Sequence, residues 1–193
     1  VLEFFEIIPD YDLNLMRPGQ NLHSLTSLII EETKTIFEEF QPDYLFDHGD
    51  TTTSTAAALS AFYSGIKVCH IEAGLRTNNK LSPFPEELNR QITGRIADLH
   101  FSPTKASREN LLAENVSDET IIVTGNTVID ALLESVEKVA DLNNDITKPI
   151  KEFIGESSKV ILVTGHRREN HGDGFERICA ALSYISKNEE DVK

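Results

Sequence analysis

Short apolar runs alternate with longer helical patterns along this chain, and that alternation restricts the fold more than any other feature of the sequence. Four apolar runs, each followed by a helical pattern, begin near Tyr44, Val68, Leu99 and Thr120. A strand that is regularly followed by a helix indicates a parallel sheet with right-handed crossovers and with helices on both faces. The sequence therefore predicts an α/β fold, a Rossmann-like doubly wound parallel sheet.

Two helices of this pattern can be placed from the spacing of their apolar residues. From about residue 23 to 40, apolar side chains recur at three- and four-residue intervals, which is typical of an amphipathic helix. A second helix is predicted to open at Glu86, with Leu88, Ile92 and Ile96 forming its apolar face. The polar residues between these patterns are predicted to be loops at the edges of the sheet.

The pattern changes near residue 140 and predicts two domains. Residues 1–140 are predicted to form an N-terminal Rossmann-like domain, and the polar residues 141–158 an interdomain segment that contains a short helix. Residues 159–193 then read as the first β-α unit of a second, incomplete Rossmann-like domain, with a strand over 159–163. Because Val1 opens the chain inside an apolar segment, we expect both ends to be cuts in a longer protein.

Charge and composition exclude several classes of partner. The formal net charge is −14, so nucleic-acid backbones and anionic membranes would be repelled. No apolar run is long enough to span a bilayer, no signal-peptide pattern opens the chain, and the two cysteines lie far apart in apolar patterns. We therefore expect a reduced, cytoplasmic protein with no nucleic-acid or membrane partner, and the histidines lack the grouping of a metal site.

One polar stretch, residues 67–90, carries the strongest signal for a functional site. Glu72 follows a predicted buried strand, and Glu86 lies in the first turn of a predicted helix. Arg76 and Arg90 accompany these two acids. Open α/β sheets bind their ligands at the carboxyl ends of the strands, so this stretch is predicted to line a binding site.

Asp50, Glu72 and Glu86 are candidates for proton transfer, because burial at a strand end raises the pKa of a carboxyl group. Each acid also has a purely structural alternative. Asp50 could cap the helix that follows it. Glu72 could form a buried ion pair with Arg76, and Glu86 could pair with Arg90 one turn later. The sequence leaves these alternatives open.

Three loops between a strand and a helix could hold an anion, because backbone N–H groups at a helix start attract negative charge. These loops are residues 48–52, 124–127 and 164–168. The third contains His166, Arg167 and Arg168, the densest positive charge in the chain. It is predicted to bind a phosphate group, the alternative being a surface salt-bridge cluster with nearby acids.

Five motifs occur in an order that resembles the non-hydrolysing UDP-N-acetylglucosamine 2-epimerases. They are HGDTTT at 48–53, HIEAGLRT at 70–77, PFPEELNR at 83–90, GNTVID at 125–130 and TGHRREN at 164–170. The resemblance implies two Rossmann-like domains of the glycosyltransferase-B type with the active site between them, in a cytoplasmic homodimer. It also implies interconversion of UDP-N-acetylglucosamine and UDP-N-acetylmannosamine for surface polysaccharides, which requires no redox cofactor and no metal.

The resemblance also implies roles for individual residues. The predicted catalytic residues are three acids and one histidine: Asp50, Glu72, Glu86 and His166. The predicted substrate-binding residues are four arginines in the same motifs: Arg76, Arg90, Arg167 and Arg168. The family's first strand, its Gly-Thr-Arg-Pro-Glu loop and most of its second domain have no counterpart here, so the chain resembles the middle of an epimerase.

Three other functions are compatible with the sequence. A hydrolysing 2-epimerase would release UDP and free N-acetylmannosamine. A glycosyltransferase of the same fold would transfer the sugar to an acceptor. A nucleotide-sugar-binding segment would bind the same ligand without reaction.

Overall fold

The computed structural model describes residues 1–140, 147–156, 159–164 and 172–193. By their internal contacts these residues divide into two compact units, Val1–Asn126 and Thr127–Lys193. The contacts therefore group residues 127–140 with the C-terminal part of the chain, whereas the sequence pattern predicts a boundary after residue 140. The predicted interdomain role of residues 141–158 stays a prediction.

The first unit is a parallel sheet with its connecting helices. Its elements, in chain order, are α1 (Leu22–Phe40), β1 (Tyr44–His48), α2 (Thr52–Tyr63), β2 (Lys67–Ile71), α3 (Glu86–Ile96), β3 (Leu99–Ser102), α4 (Lys105–Ala113), a short 3₁₀ helix (Asp118–Thr120) and β4 (Ile121–Val123). All neighbouring strands are parallel and lie in the order β1-β2-β3-β4. The α/β class and the parallel sheet predicted from the alternation of apolar patterns are confirmed.

The sheet order also determines where the crossover helices lie. Because successive strands are neighbours and crossovers are right-handed, α2, α3 and α4 fall on one face of this sheet. Doubly wound sheets place helices on both faces because their strand order reverses at a switch point. No such reversal occurs among the four strands of this unit, so these strands all follow one another in a single direction across the sheet.

The core of the first unit lies between this face of the sheet and its helices. Phe37 of α1 and Val68 of β2 pack with Ala58 and Ala61 of α2. The alanines have no side-chain atoms beyond Cβ, so α2 can approach the sheet closely. A second cluster joins Ala73, Leu111 and Ile121, and it anchors the segment after β2 to α4 and β4.

A row of polar side chains crosses the same buried face. Asp47, His70 and His100 stand opposite one another in register on β1, β2 and β3. His70 Nε2 donates to the carbonyl oxygen of Gly49 at 2.8 Å, and His100 Nε2 donates to that of Gly94 at 2.9 Å. Burial raises the pKa of Asp47 to about 7, although a hydrogen bond from the His48 backbone N–H acts to lower this pKa. Burial likewise lowers the pKa of His70 to about 4.

The orientation of α3 differs from its predicted apolar face. Leu88 and Ile92 are 41% and 39% exposed, and of the predicted face Ile96 alone packs against the core. The buried residues of this helix are Glu87, Asn89, Thr93 and Gly94. Polar contacts orient the helix instead, such as the 3.1 Å hydrogen bond between Thr93 and Thr55 of α2. The predicted face is wrong because these polar groups have partners inside the protein.

The described residues of the second unit form three helices: α5 (Thr127–Ala140), α6 (Thr147–Ile154) and α7 (Asp173–Asn188). The strand predicted over residues 159–163 is reduced to one parallel bridge between Lys159 and Val192. Two backbone hydrogen bonds, Ile161 N–H to Lys193 O at 2.8 Å and Lys193 N–H to Lys159 O at 3.1 Å, flank this bridge. These contacts form an isolated bridge and not a strand ladder. Among the described helices of the whole chain, none has the length and apolarity to cross a membrane.

Candidate active site

The predicted acids leave the sheet from two adjacent strands. The N–H of Gly49, just after β1, donates to the carbonyl oxygen of Ile71 at the end of β2 at 3.0 Å. Asp50 and Glu72 each come one residue after this pair. His70 holds the same turn from inside the sheet by donating to the Gly49 carbonyl. The carboxyl ends of β1 and β2 therefore bring Asp50 and Glu72 to one edge of the sheet.

Glu72 has a backbone conformation that is uncommon for a side chain with a Cβ. Its φ angle is 66°, in the left-handed region, and its carboxylate is partly exposed. Oε1 lies 3.7 Å from Nε2 of His48, whose ring is more than half exposed. His48 had no predicted role, although its position directly before Gly49 and Asp50 in the motif is a signal that places it at this site.

Asp50 is held at two points by α3. Its carboxylate forms an ion pair with Nη2 of Arg90, and its backbone carbonyl accepts from Nδ2 of Asn89 at 2.8 Å. The N-cap of α2 is Thr51, whose Oγ1 accepts from the Ser54 N–H at 3.2 Å. Asp50 therefore does not act as the helix cap, the structural alternative that the sequence left open.

Glu86 is the first residue of α3 and is half-buried. The contacts of Arg90 are with Asp50 and with Glu87, so the alternative pairing of Glu86 with Arg90 is not observed. The partial positive charge at a helix start favours a carboxylate there. Glu86 therefore supplies a third carboxylate at the start of the helix that holds Asp50.

The side chain of Arg76 is buried and hydrogen-bonded to other residues of the protein. Its side chain is 2% exposed, and it donates to Glu114 from Nε at 2.6 Å and from Nη2 at 2.8 Å. Nη1 donates to the Leu75 carbonyl at 2.7 Å. The alternative ion pair with Glu72 is therefore not observed. All three of its side-chain nitrogens have partners inside the protein, and the substrate-binding role of Arg76 stays a prediction.

Glu87 is a site residue that the sequence pattern does not single out. Its carboxylate is fully buried and accepts from the backbone N–H groups of Thr77 at 3.0 Å and Asn78 at 3.2 Å. It also accepts from Gln91 Nε2 at 3.2 Å and from Arg90 Nη1 at 3.4 Å. Burial alone raises its pKa, but these hydrogen bonds, led by that of Thr77, hold the pKa below its ordinary value. The spacing of Glu87 to Arg90 and Gln91 is the signal that could have identified it.

The predicted phosphate-binding residues His166, Arg167 and Arg168 lie outside the described residues. Within the described ranges, no group of three or more His, Cys, Asp or Glu side chains is arranged to hold a metal ion. The described part of the site therefore consists of Asp50 and Glu72 after two adjacent strands, with Arg90 and His48 beside them, and of Glu86 at the start of α3.

The sequence matches known proteins along its entire length. The model of a family described as UDP-N-acetylglucosamine 2-epimerase matches residues 1–193. A UDP-N-acetylglucosamine 2-epimerase of Escherichia coli (strain K12) is 53% identical over 196 aligned residues, which cover 100% of this chain and 52% of the relative. A probable enzyme of the same name from Ralstonia solanacearum is 52% identical over 195 residues, with the same coverage. The chain thus spans about half the length of the curated relatives it matches.

The solved structures that resemble this chain are also UDP-N-acetylglucosamine 2-epimerases. UDP-N-acetylglucosamine 2-epimerase from Neisseria meningitidis, bound to UDP-N-acetylglucosamine, is 50% identical, with a TM-score of 0.89 over 97% of this chain and 51% of that chain. The enzyme from Methanocaldococcus jannaschii, in complex with UDP-N-acetylglucosamine and UDP, is 31% identical, with a TM-score of 0.79 over 96% of this chain and 49% of that chain. These likenesses confirm the predicted fold class, α/β of the glycosyltransferase-B type. By the family match over all of its residues and by relatives more than half identical to it, this chain belongs to the UDP-N-acetylglucosamine 2-epimerase family.

Proposed function

We propose that this chain is part of an enzyme that interconverts UDP-N-acetylglucosamine and UDP-N-acetylmannosamine without net hydrolysis. One observation carries the proposal: Asp50 and Glu72 leave adjacent strand ends at one edge of the sheet. Glu86, at the start of α3, is the third acid of the site. Inverting a carbon centre needs one group to remove a proton and another to return it on the opposite face, and several carboxylates can divide those roles.

The sugar's C2 proton cannot be removed directly, because C2 is not next to a carbonyl group. In the proposed reaction the bond between C1 and the UDP oxygen breaks first, and positive character develops on the ring. A carboxylate then takes the proton from C2, and a double bond forms between C1 and C2 to give a glycal. A second carboxyl group delivers a proton to the opposite face of C2, and the UDP oxygen re-forms its bond to C1.

Departure of UDP leaves negative charge on the diphosphate, and donors around it lower the barrier. His166, Arg167 and Arg168 are the predicted donors in this chain. Arg90 is a different case, because its guanidinium already pairs with Asp50 and Glu87. We therefore assign Arg90 the role of holding Asp50, and we assign the diphosphate to residues 166–168. No redox step occurs, so the proposed reaction needs no redox cofactor.

We also propose a cytoplasmic homodimer that serves surface polysaccharide synthesis, as the resemblance of the sequence implies. The net charge of −14 argues against a nucleic acid or an anionic membrane as a partner, because both would be repelled. Size-exclusion chromatography with light scattering measures the subunit number, and a monomer at micromolar concentration would contradict the dimer.

Two proteins test the reaction. One is the 193-residue chain, and the other is a chimera in which this chain replaces the matching segment of the Escherichia coli K12 relative. Each is incubated with UDP-N-acetylglucosamine in D₂O and followed by proton and phosphorus NMR. We expect the chimera to form UDP-N-acetylmannosamine that carries deuterium at C2, with little net release of UDP.

Other products would identify the other candidate functions. UDP together with free N-acetylmannosamine would show a hydrolysing enzyme. Sugar transfer that depends on an added acceptor would show a glycosyltransferase. Saturable binding of the nucleotide sugar without any reaction in either protein would leave a binding segment and contradict the proposed activity.

A further inference from the structure

Glu87 is a fully buried carboxylate that is surrounded by hydrogen-bond donors. The four groups that contact it are the N–H groups of Thr77 and Asn78, the amide of Gln91 and the guanidinium of Arg90. A buried carboxylate is costly unless it is paired and hydrogen-bonded, and here both conditions are met. The environment is therefore built for an ionised acid at this position.

The same environment rejects an amide of equal size. A glutamine has one acceptor oxygen, and its NH₂ group is a donor. In place of the second carboxylate oxygen, that NH₂ group would face other donors and leave buried N–H groups without a partner. A Glu87→Gln substitution therefore changes two contacts at once while leaving the shape of the side chain unchanged.

The first of these contacts fixes the loop that leads to Glu86. Glu87 holds the loop at Thr77 and Asn78, where the chain leaves the segment after β2. Thr77 Oγ1 also donates to the Ser82 carbonyl at 2.6 Å, which closes the loop on itself four residues before Glu86. Glu87, in the helix that follows the loop, thus holds the first residues of the loop.

The second contact reaches Asp50 through Arg90. Arg90 Nη1 lies 3.4 Å from Glu87 Oε2, and Arg90 Nη2 forms the ion pair with Asp50. The Asn89 side chain holds the Asp50 backbone from the same helix. A guanidinium that bridges two carboxylates has its fork fixed at both ends, so the direction of Asp50 depends on the position of Glu87.

We propose that Glu87 is a positioning residue of this active site, which aims Asp50 through Arg90 and fixes the loop between Glu72 and Glu86. The inference rests on the proposed function for its catalytic consequence. The anchoring itself is a property of the fold and can be measured without activity.

Hydrogen exchange in the 193-residue chain measures the anchoring. In Glu87→Gln, the amides of Thr77 and Asn78 are expected to exchange about tenfold faster or more, because a lost buried hydrogen bond opens the loop locally. Exchange of the amides in β2 should stay unchanged. Glu109→Gln is the matched control, since Glu109 is exposed on α4 and the change in charge is the same. Unaltered exchange at Thr77 and Asn78, or equal acceleration throughout the unit, would overturn the inference.

Kinetics of the chimera measure the catalytic consequence. We expect Glu87→Gln to lower kcat about 100-fold, as expected for misplaced catalytic groups, with KM changed less than about threefold. Arg90→Lys should lower kcat as well, and the double variant should lose less than the product of the two single losses. Multiplicative losses, or an unchanged kcat in an active chimera, would contradict the positioning role. An inactive wild-type chimera would contradict the proposed function, and hydrogen exchange would still decide the anchoring.

Discussion

Arg76 and Glu114 form a two-pronged ion pair, with Nε to Oε1 at 2.6 Å and Nη2 to Oε2 at 2.8 Å. The arginine side chain is 2% exposed and the glutamate side chain 39% exposed. The pair fastens the segment after β2 to the residue that caps the end of α4. Arginine stays charged inside proteins, so this contact is a requirement of the fold around the site.

Arg76→Lys should therefore destabilise the first unit. Lysine carries the same charge but cannot present a planar fork to the carboxylate. We expect the free energy of unfolding to fall by about 2 kcal/mol, less than for a fully buried pair because Glu114 is partly exposed. Urea unfolding of the 193-residue chain measures this loss.

Arg108→Lys is the control for that substitution. Arg108 pairs with Asp118, and both side chains are substantially more exposed than Arg76. An exposed pair contributes less than about 1 kcal/mol, so the control should change stability little. Equal losses in the two variants would show that burial of Arg76 has no energetic consequence.

Glu72→Gln and Glu86→Gln test the proposed acids. Each substitution removes a group that can carry a proton while keeping its size, and proton transfer contributes about 10²- to 10⁴-fold to a rate. We expect the chimera to lose turnover by at least the lower figure, measured as deuterium incorporation at C2 in D₂O. Urea unfolding of both variants should stay cooperative.

Glu109→Gln again serves as the control, since it removes one acid from an exposed position on α4 of the same unit. The catalytic assignment would be contradicted by variants that keep full turnover. It would also be contradicted if turnover and folding were lost together, because the acid would then act by holding the fold.

Much of the fold could be predicted because apolar runs and helix boundaries are local signals. The spacing of apolar residues predicts α1 from about residue 23 to 40, and the apolar runs predict the starts of β1 to β4 to within about one residue. The face of α3 was not predictable in the same way. Periodicity identifies apolar side chains, and this helix turns Glu87 inward because its partners come from a loop ten residues earlier.

The site shows the same division between local and distant information. The sequence predicts that Asp50 and Glu72 lie at strand ends, where open α/β sheets bind their ligands. It does not predict that Arg76 pairs with Glu114, 38 residues away, or that Arg90 pairs with Asp50, 40 residues away. Such pairs depend on the packing of whole elements, so the structural alternatives for Glu72 and Glu86 could be set aside only with the structure.

Asp47→Asn should alter how stability depends on pH. The pKa of Asp47 is raised by burial from 3.8 to about 7 in the folded protein, so between these values the folded chain keeps a proton that the unfolded chain releases. The free energy of unfolding therefore falls as pH rises through this window, by up to about 4 kcal/mol. The asparagine variant lacks this loss, so its stability relative to the wild type should rise from about pH 4 to about pH 7 and level off above that.

His70, the register partner of Asp47, acts in the opposite direction. Its pKa is lowered from 6.5 to about 4 in the folded protein, so its contribution to stability rises with pH across that range. The wild-type profile therefore contains both effects, and the difference between variant and wild type isolates Asp47. Asp43→Asn, at an exposed position just before β1, is the control. A difference that does not change with pH would contradict the raised pKa of Asp47.

Gly74→Ala should destabilise the segment that carries Glu72 more than any substitution above. Gly74 has a φ angle of +86°, and a Cβ there would lie 2.1 Å from the backbone oxygen of Ser107 and 3.0 Å from Cγ of Leu111. The backbone of α4 cannot retreat from this contact without breaking the core, so we expect a loss of more than about 3 kcal/mol, or no cooperative transition. Gly19→Ala separates the two causes, because Gly19 has a φ of +73° with no atom within 4 Å of the added Cβ, and should cost about 1 kcal/mol. Similar unfolding midpoints in urea for the two variants would show that backbone strain, and not the close approach of α4, requires glycine at position 74.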